Sequence, residues 1–347
     1  MTNTIEIVTA NTNSISTNTQ LYEAVANNPF LRNALKKSDS TITRHLHELE
    51  SFGQFLSDRD GDPVRSMQQA SHWETVTADD IEAYKAYMTY VKGLRTTTIS
   101  QAVYIIKSYA RLAYDANAIS IEEMTRIEHI KGISGSEAVH IDEHRSKTSD
   151  RDRHNIGGNV TTLTKRQVKD LKDGDKYPKD FSPIRIKRDV LLFSILLDHG
   201  LRISDAIGLT MNDIDMTTGM MTVHTKKTGV TLNLRMTEDV FESFSDYFSL
   251  YMPTDPTASI WTGVNKHGKA QGSWGKHSAQ MEITSVGASF GVNNLSAHDM
   301  RHAWTDRAID GGSDLVAVQQ AGGWKSIQMV SRYATKKAIT NSGIHLS

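Results

Sequence analysis

The sequence predicts a mainly α-helical protein with a small β-sheet, built as an N-terminal helical bundle followed by a mixed α/β domain. The chain has 347 residues, which exceeds the usual length of a single domain. Apolar residues recur every three or four positions along most of its length, as in amphipathic helices. Two short β-like segments flank a Gly-containing turn, which is typical of a hairpin.

The first domain is predicted over residues 36–131, after an N-terminal segment, residues 1–35, that we expect to be flexible. Its apolar spacing predicts four helices with short connections, over residues 40–56, 77–92, 98–114 and 120–130. Thr77 is a suitable N-cap for the second helix, and Gly93 ends it. Four amphipathic helices of this length form a compact bundle whose apolar stripes face a common core.

Residues 132–161 hold several glycines and many charges without a sustained period, so they predict an interdomain linker. The second domain is then expected over residues 162–347. It begins with a short basic helix capped by Thr164, and a strongly apolar helix ends at Gly200. The hairpin follows, with strands over residues 220–224 and 230–234. Further helices are expected at residues 237–251, 276–290, 296–310, 313–321 and 326–334.

Composition excludes several classes of function. The chain has no cysteine, which excludes disulfides, a thiolate nucleophile and Cys-type zinc sites, and fits a reducing cytoplasm. It has no apolar run long enough to cross a membrane and no secretion signal. Net charge is −1, so binding to a polyanion would require basic residues segregated on one face.

The first chemically notable stretch places Arg202 just after the helix stop at Gly200. A guanidinium is a planar fork that grips two phosphate oxygens, which a lysine cannot reproduce. The alternative is structural, with Arg202 paired to Asp205 as a cap and salt bridge.

The second stretch places His298 and Arg301 in the first turn of a helix capped by Ser296, where backbone N–H groups favour an anion. A rival interpretation is a zinc site, because His298 and His302 are spaced to lie on one helix face. That interpretation lacks a third ligand at suitable spacing and leaves the arginines unexplained.

The third stretch runs from two glycines through Trp324 to Tyr333 near the end of a helix. The indole N–H of Trp324 can donate to an oxygen while its ring packs against the wall of a site. For Tyr333 considered alone, burial in the core is the simpler interpretation.

Together these stretches resemble the tyrosine recombinase or phage integrase family, which includes Cre-like and lambda-integrase-like enzymes. The family signature is an Arg after an apolar helix, a Lys in a β-hairpin, a His-x-x-Arg, a His or Trp after a glycine, and a Tyr nine residues beyond it. The chain supplies matching residues in that order, namely Arg202, Lys227, His298, Arg301, Trp324 and Tyr333. Lys226 is an alternative to Lys227, and Trp324 stands where most members have a histidine.

The resemblance implies a core-binding, SAM-like N-terminal bundle and a tyrosine recombinase catalytic domain. It also implies a metal-free and ATP-free DNA strand transfer through a covalent link to Tyr333, with Asp205 bracing the site. The expected partners are duplex DNA carrying recombination sites, three further copies joined by exchange of the C-terminal segment, and accessory proteins in some systems. Candidate DNA contacts are Arg95, Lys107, Arg111, Lys165, Arg166 and Lys169.

Two other functions use the same scaffold. A type IB topoisomerase would relax supercoils with a similar residue set, and a non-catalytic regulator would bind DNA without cutting it. The choice among integration, excision and resolution stays open.

Overall fold

The computed structural model describes residues 28–61, 63–133, 135–146 and 161–334, with the backbone alone at 143–146 and 332–334. The chain divides into two compact units, Met1–Gly157 and Gly158–Ser347, at a point inside the predicted linker. Each unit has its own hydrophobic core. Among the described helices, none combines the length and apolar character that crossing a membrane requires.

The first unit is helical throughout its described part. Its α-helices are α1 (Pro29–Leu35), α2 (Asp39–Asp60), α3 (Ala78–Ala86), α4 (Thr96–Asp115), α5 (Ile121–His129) and α6 (Gly135–Ser146). A π-helical turn, Tyr87–Val91, continues α3. The predicted cap of α3 is present, because the Thr77 side chain accepts the backbone N–H of Asp80 while the Asp80 carboxylate accepts that of Thr77. Phe52, Trp73 and Tyr84 lie at the centre of the core.

Two predictions for this unit need correction. The predicted linker, residues 132–161, contains α6, which is held by tertiary contact with α4: the Asp142 carboxylate accepts hydrogen bonds from the backbone N–H and the hydroxyl of Thr96, at 3.3 and 2.7 Å. The segment 1–35, expected to be flexible, ends in α1, where Asn28 caps the helix and Leu31 is fully buried. Residues 1–27 lie outside the described part of the chain.

The second unit combines helices with two small sheets. Its helices are α7 (Lys165–Leu171), α8 (Pro183–His199), α9 (Ile203–Ala206), α10 (Glu238–Phe248), α11 (Lys276–Ser289), α12 (Ala297–Asp310), α13 (Leu315–Ala321) and α14 (Ile327–Ala334). Its strands are β1 (Ile214–Asp215), β2 (Met220–His224), β3 (Thr231–Arg235), β4 (Thr262–Val264) and β5 (Ala270–Ser273). Helix α8 is almost entirely buried, and both α10 and α12 pack against it.

The predicted hairpin is the pair β2–β3, to which β1 adds an antiparallel third strand. Met221 pairs with Leu234 and Val223 with Leu232, so that one face of the hairpin meets the core. The prediction of one small sheet was incomplete, because β4 and β5 form a second. All four residues of β5 are exposed, so the strand has no apolar alternation from which it can be predicted.

The turn after α8 positions the start of the candidate site. Gly200 ends the helix in the left-handed conformation, with φ of 60°. A Cβ at this position would lie 2.2 Å from Cε3 of Trp304, so the ring of Trp304 packs directly against the glycine backbone. Glycine is required at this position for both reasons.

Candidate active site

Arg202 is the N-cap residue of α9, two residues after the Gly200 turn. Its Nη2 donates to the carbonyl of Gly323 at 3.3 Å, and its Nη1 lies 3.7 Å from a carboxylate oxygen of Asp205. Nη1 is buried and has no hydrogen-bond partner within the described residues. The predicted salt bridge to Asp205 is therefore present, but it leaves guanidinium donor capacity for a further acceptor.

Arg301 lies in the first turn of α12 and is 3% exposed. Its Nη1 donates to the carbonyl of Gly200 at 2.5 Å and its Nη2 to the carbonyl of Gly322 at 2.7 Å. The guanidinium carbon also lies 3.9 Å from the ring centroid of Trp324, in cation–π geometry. These contacts hold the guanidinium in a defined orientation.

The two arginines therefore bind consecutive carbonyls of a single turn, Gly322–Gly323, although they are 99 residues apart in the sequence (301 − 202). Gly323 has φ of 62°, and a Cβ on Gly322 would lie 1.9 Å from the ring of Trp324. No sequence motif assigns a role to these carbonyls. The Gly-Gly pair ahead of Trp324 was the only signal of a close backbone approach.

His298 is exposed on the same first turn of α12, where Ser296 and Asp299 form a capping box. Partial burial lowers the pKa of its imidazole, and the positive charges of Arg301, Lys227 and Arg202 lower it further, against the opposing effect of the Asp299 carboxylate. Three of the predicted site residues thus act electrostatically on this one imidazole. Their charges are concentrated where a phosphate would be bound.

For the zinc interpretation, the structure brings together only two potential ligands, His298 and His302. The Nε2 atoms of His298 and His302 lie 2.9 Å apart, which is hydrogen-bonding distance. Across residues 28–61, 63–133, 135–146 and 161–334, no group of three or more His, Asp or Glu residues is placed to hold a metal ion. The contacts of both histidines are better described as a hydrogen-bonded pair.

The hairpin turn brings two lysines to the site, both of them exposed. The backbone N–H of Lys226 donates to the buried carboxylate of Asp205 at 3.3 Å, which ties the turn to α9. Lys227 is the one whose charge acts on His298, whereas the side chain of Lys226 extends toward Gly208. The electrostatic effect on His298 favours Lys227 as the site lysine, and Asp205 connects Arg202 to the hairpin.

Trp324 and helix α14 complete the constellation. The Trp324 ring is 8% exposed and stacks on Trp304 with centroids 6.0 Å apart. Val330 of α14 is buried in the same small cluster. Tyr333 lies in the last turn of α14, one turn beyond Val330, and its side chain is outside the described part of the chain.

The six predicted DNA contacts differ in whether their positive charges are already paired within the protein. The ammonium of Lys107 donates to the carbonyls of Glu128 and Ile130 at the end of α5, and burial lowers its pKa. Arg111 pairs with the Glu128 carboxylate, and Arg95 is the N-cap residue of α4. On α7, Lys165 and Lys169 are exposed, and Arg166 lies 3.5 Å from Asp170. The six residues stay predicted DNA contacts, with those of α7 the more available.

A cavity of about 910 Å³ lies elsewhere in the second unit, between the β4–β5 hairpin and α11. Arg188, Trp274 and Glu282 line it, and none of the five predicted catalytic residues with described side chains does. The predicted site is instead assembled from turns and helix ends.

Comparison with known proteins identifies the family. The family model described as "Phage integrase family" matches residues 161–338, which is just over half of the chain and includes every residue of the predicted catalytic set. This chain belongs to the phage integrase family. The resemblance inferred from six residues in order is therefore confirmed.

Relatives of this integrase-family protein include recombinases and integrases of bacteria and phages. The tyrosine recombinase XerC of Roseiflexus sp. (strain RS-1) is 24% identical over 303 residues, covering 85% of this chain and 82% of the relative. The integrase of Salmonella phage P22 is 27% identical over 149 residues, covering 40% of this chain and 36% of the relative.

Solved structures share the fold. An integrase of the Tn1549 transposon in complex with a circular intermediate DNA superposes with a TM-score of 0.57 at 17% identity, covering 88% of this chain and 94% of that one. A lambda integrase dimer bound to a COC′ core site gives a TM-score of 0.57 at 13% identity, covering 99% and 87%. The predicted tyrosine recombinase fold, mainly helical with small sheets, is confirmed.

Proposed function

We propose that this integrase-family protein is a site-specific DNA recombinase that cleaves and rejoins DNA strands through a 3′-phosphotyrosyl bond to Tyr333. The observation that carries the proposal is the convergence of Arg202 and Arg301 on the Gly322–Gly323 turn. That turn leads directly into Trp324 and the helix that bears Tyr333. The phosphate-binding groups and the nucleophile thus belong to one connected structure.

The proposed reaction exchanges one phosphodiester for another. The phenolic oxygen of Tyr333 attacks the scissile phosphorus, the bond to the 5′-oxygen breaks, and a 5′-hydroxyl is released. A 5′-hydroxyl from a partner strand then attacks the phosphotyrosyl bond and restores the tyrosine. Each step makes one ester bond and breaks one, so the reaction requires no ATP.

The arginines stabilise the charge that develops in this reaction. Negative charge accumulates on the non-bridging oxygens of the transition state, and preorganised guanidinium donors can neutralise it as metal ions do in other phosphoryl-transfer enzymes. Arg301 is held rigidly by two carbonyls and an aromatic ring. Arg202 retains a buried N–H group without a hydrogen-bond partner within the described residues, which suits a phosphate oxygen.

The remaining residues handle protons and orientation. The ammonium of Lys227 protonates the departing 5′-oxygen, and the indole N–H of Trp324 binds a phosphate oxygen. His298 either accepts the Tyr333 proton or binds a phosphate oxygen. The Asp205 carboxylate positions Arg202 by an ion pair and the hairpin turn by a hydrogen bond from the backbone of Lys226.

We further propose that four protomers act together on two duplex recombination sites, exchanging C-terminal segments. A lambda integrase tetramer bound to a Holliday junction shares the fold of this chain, with a TM-score of 0.55 at 13% identity over 86% of this chain and 72% of that one. Residues 335–347, which would supply the exchanged segment, lie outside the described part of the chain.

A suicide DNA substrate from the native locus tests the nucleophile. The substrate carries a nick that lets the 5′-hydroxyl fragment diffuse away, so that a covalent complex accumulates as a band resistant to denaturation. We expect this band with the wild-type protein and none with Tyr333→Phe, which keeps the ring and should bind the same DNA with unchanged affinity. A band that persists in Tyr333→Phe would show that another residue is the nucleophile.

The same assay separates the alternative functions. A wild-type protein that binds the site but forms no adduct would be a non-catalytic regulator. Adduct formation accompanied by supercoil relaxation without strand exchange would identify a type IB topoisomerase. Exchange between two labelled duplexes supports the recombinase.

A further inference from the structure

His298 and His302 form a hydrogen-bonded pair on the face of α12 that bears the candidate site. They lie four residues apart on the helix, their Nε2 atoms are 2.9 Å apart, and their rings meet edge to face with centroids 4.4 Å apart. His298 is exposed and His302 half-buried. His302 is not one of the six residues that match the family signature.

The contact between two Nε2 atoms restricts the protons on the two rings. A neutral imidazole has one nitrogen that donates and one that accepts, and an imidazolium only donates. At 2.9 Å one Nε2 must carry a hydrogen and the other must present a lone pair. The accepting ring is therefore neutral, and its own hydrogen is on Nδ1.

The surroundings of His298 favour the neutral form of that ring. Arg301, Lys227 and Arg202 all disfavour a positive charge on His298, and only the Asp299 carboxylate opposes them. Partial burial of the ring, together with three cations against one anion, favours the neutral form of His298. A ring that stays neutral can accept at Nε2, whereas a protonated ring cannot, so His298 is suited to accept the Nε2–H of His302.

We infer that His302 is a positioning residue, which holds His298 in the Nδ1–H tautomer so that His298 acts as a hydrogen-bond donor to a phosphate oxygen. The inference rests on the proposed function and narrows the role of His298 within it. With Nε2 occupied by His302, the lone pair that would accept the Tyr333 proton is not available, so that proton passes to solvent water instead. Orientation of a catalytic imidazole by a second residue is a known source of large rate effects.

Two substitutions test the role in cleavage. In His302→Ala, His298 is free to change tautomer and orientation, so we expect adduct formation at about pH 8 to fall by about tenfold. His302→Gln keeps an N–H donor on a side chain of similar reach and should stay within about threefold of the wild type. His129→Ala is the matched control, because His129 is another exposed helical histidine that bonds only its own helix.

The pH profile separates positioning from a loss of structure. An imidazolium carries a hydrogen on Nδ1 whatever its neighbour, so the defect of His302→Ala should shrink to less than about threefold once the pH falls below the lowered pKa of His298 and the ring takes up a proton. A defect of constant size across the pH range would overturn the inference.

Nitrogen-15 NMR of the full-length protein without DNA gives a readout that does not depend on catalysis. The His298 ring, assigned by comparison with His298→Gln, should show the Nδ1–H tautomer in the wild type and in His302→Gln, and should lose it in His302→Ala. An Nε2–H tautomer in the wild type would refute the inference. If the wild type forms no DNA adduct, the proposed function fails separately, while the spectrum still decides the tautomer.

Discussion

Arg202 and Arg301 differ in how firmly the protein holds them. Arg301 is almost completely buried, with two carbonyls and a tryptophan ring in contact with its guanidinium. Arg202 has one carbonyl partner at 3.3 Å and a carboxylate at 3.7 Å. Arg301 is thus the more firmly held of the two, whereas Arg202 keeps a buried Nη1 without a hydrogen-bond partner among the described residues.

Substituting Arg202 by lysine tests whether the reaction needs the two parallel N–H donors of a guanidinium. We expect Arg202→Lys to reduce the rate of adduct formation by about 10² to 10³-fold, because a single ammonium cannot replace two aligned donors to the transition state. DNA affinity, measured by gel shift, should change by only a few fold. The control is Arg126→Lys, in which the arginine is exposed and pairs with Asp79 and Glu123 in the first unit. Near-normal cleavage by Arg202→Lys would contradict the proposed phosphate clamp.

At the scale of elements, the candidate site is assembled from the ends of helices and from turns. Gly200 ends α8, the Gly322–Gly323 turn follows α13, and the β2–β3 turn carries the lysines. Backbone groups at such ends have no partner inside their own element, so they are available to orient side chains from elsewhere. The carbonyl of Gly200 and that of Gly322 both bind Arg301 for this reason.

The Gly200 turn gives a prediction about stability. Gly200→Ala places a Cβ against the ring of Trp304 in a left-handed conformation. Gly291→Ala is the matched control, since Gly291 has φ of 74° in the same unit and nothing near its would-be Cβ. We expect the control to lose about 1 to 2 kcal/mol of unfolding free energy from the backbone alone. Gly200→Ala should lose about 1 to 3 kcal/mol more from overpacking.

Urea denaturation of both variants provides the measurement. Adduct formation by Gly200→Ala should also fall, even where the protein is fully folded, because the carbonyl that holds Arg301 moves with the turn. Equal losses of stability in the two variants would show that Trp304 adapts and that the packing against Gly200 is not restrictive.

At the scale of the whole molecule, the chain is nearly neutral, with 39 basic and 40 acidic residues. Binding a polyanion therefore depends on where the cations are and on whether they are already occupied. Lys107 and Arg111 are held by groups at the end of α5, whereas Lys165 and Lys169 project from α7 as exposed charges. We expect α7 to contribute more to phosphate binding than the cations of α4.

The salt dependence of DNA binding tests this expectation. The logarithm of affinity should fall linearly with the logarithm of salt concentration, with a slope that reports the number of neutralised phosphates. Replacing both Lys165 and Lys169 by alanine should reduce that slope by about 2 and weaken binding similarly on specific and unrelated DNA. Lys36→Ala, at the end of α1, is the control. An unchanged slope in the double variant would remove α7 from the DNA-binding surface.

Local patterns were sufficient for most of the fold. The caps Thr77, Thr164 and Ser296 and the stop at Gly200 were predicted because capping and left-handed turns involve only neighbouring residues. Helix α6 and the β4–β5 hairpin were not predicted, because α6 is held by a contact with Thr96 from another helix and β5 has no buried face. Contacts between distant residues leave no periodic trace in the sequence.

For the candidate site, too, some features follow from local sequence and others only from contacts between distant residues. The sequence by itself determined which residue types carry the chemistry, because phosphate transfer needs guanidinium forks, proton donors and a nucleophile, and these stood in a recognisable order. Only the tertiary structure decided that the carbonyls of Gly322 and Gly323 bind both arginines. It likewise decided that the charge of Lys227, rather than that of Lys226, acts on His298. The contact between His302 and His298 is also visible only in the folded chain. The physical reason is that hydrogen bonds and electrostatic fields depend on distances in space, which folding sets between residues far apart in the chain.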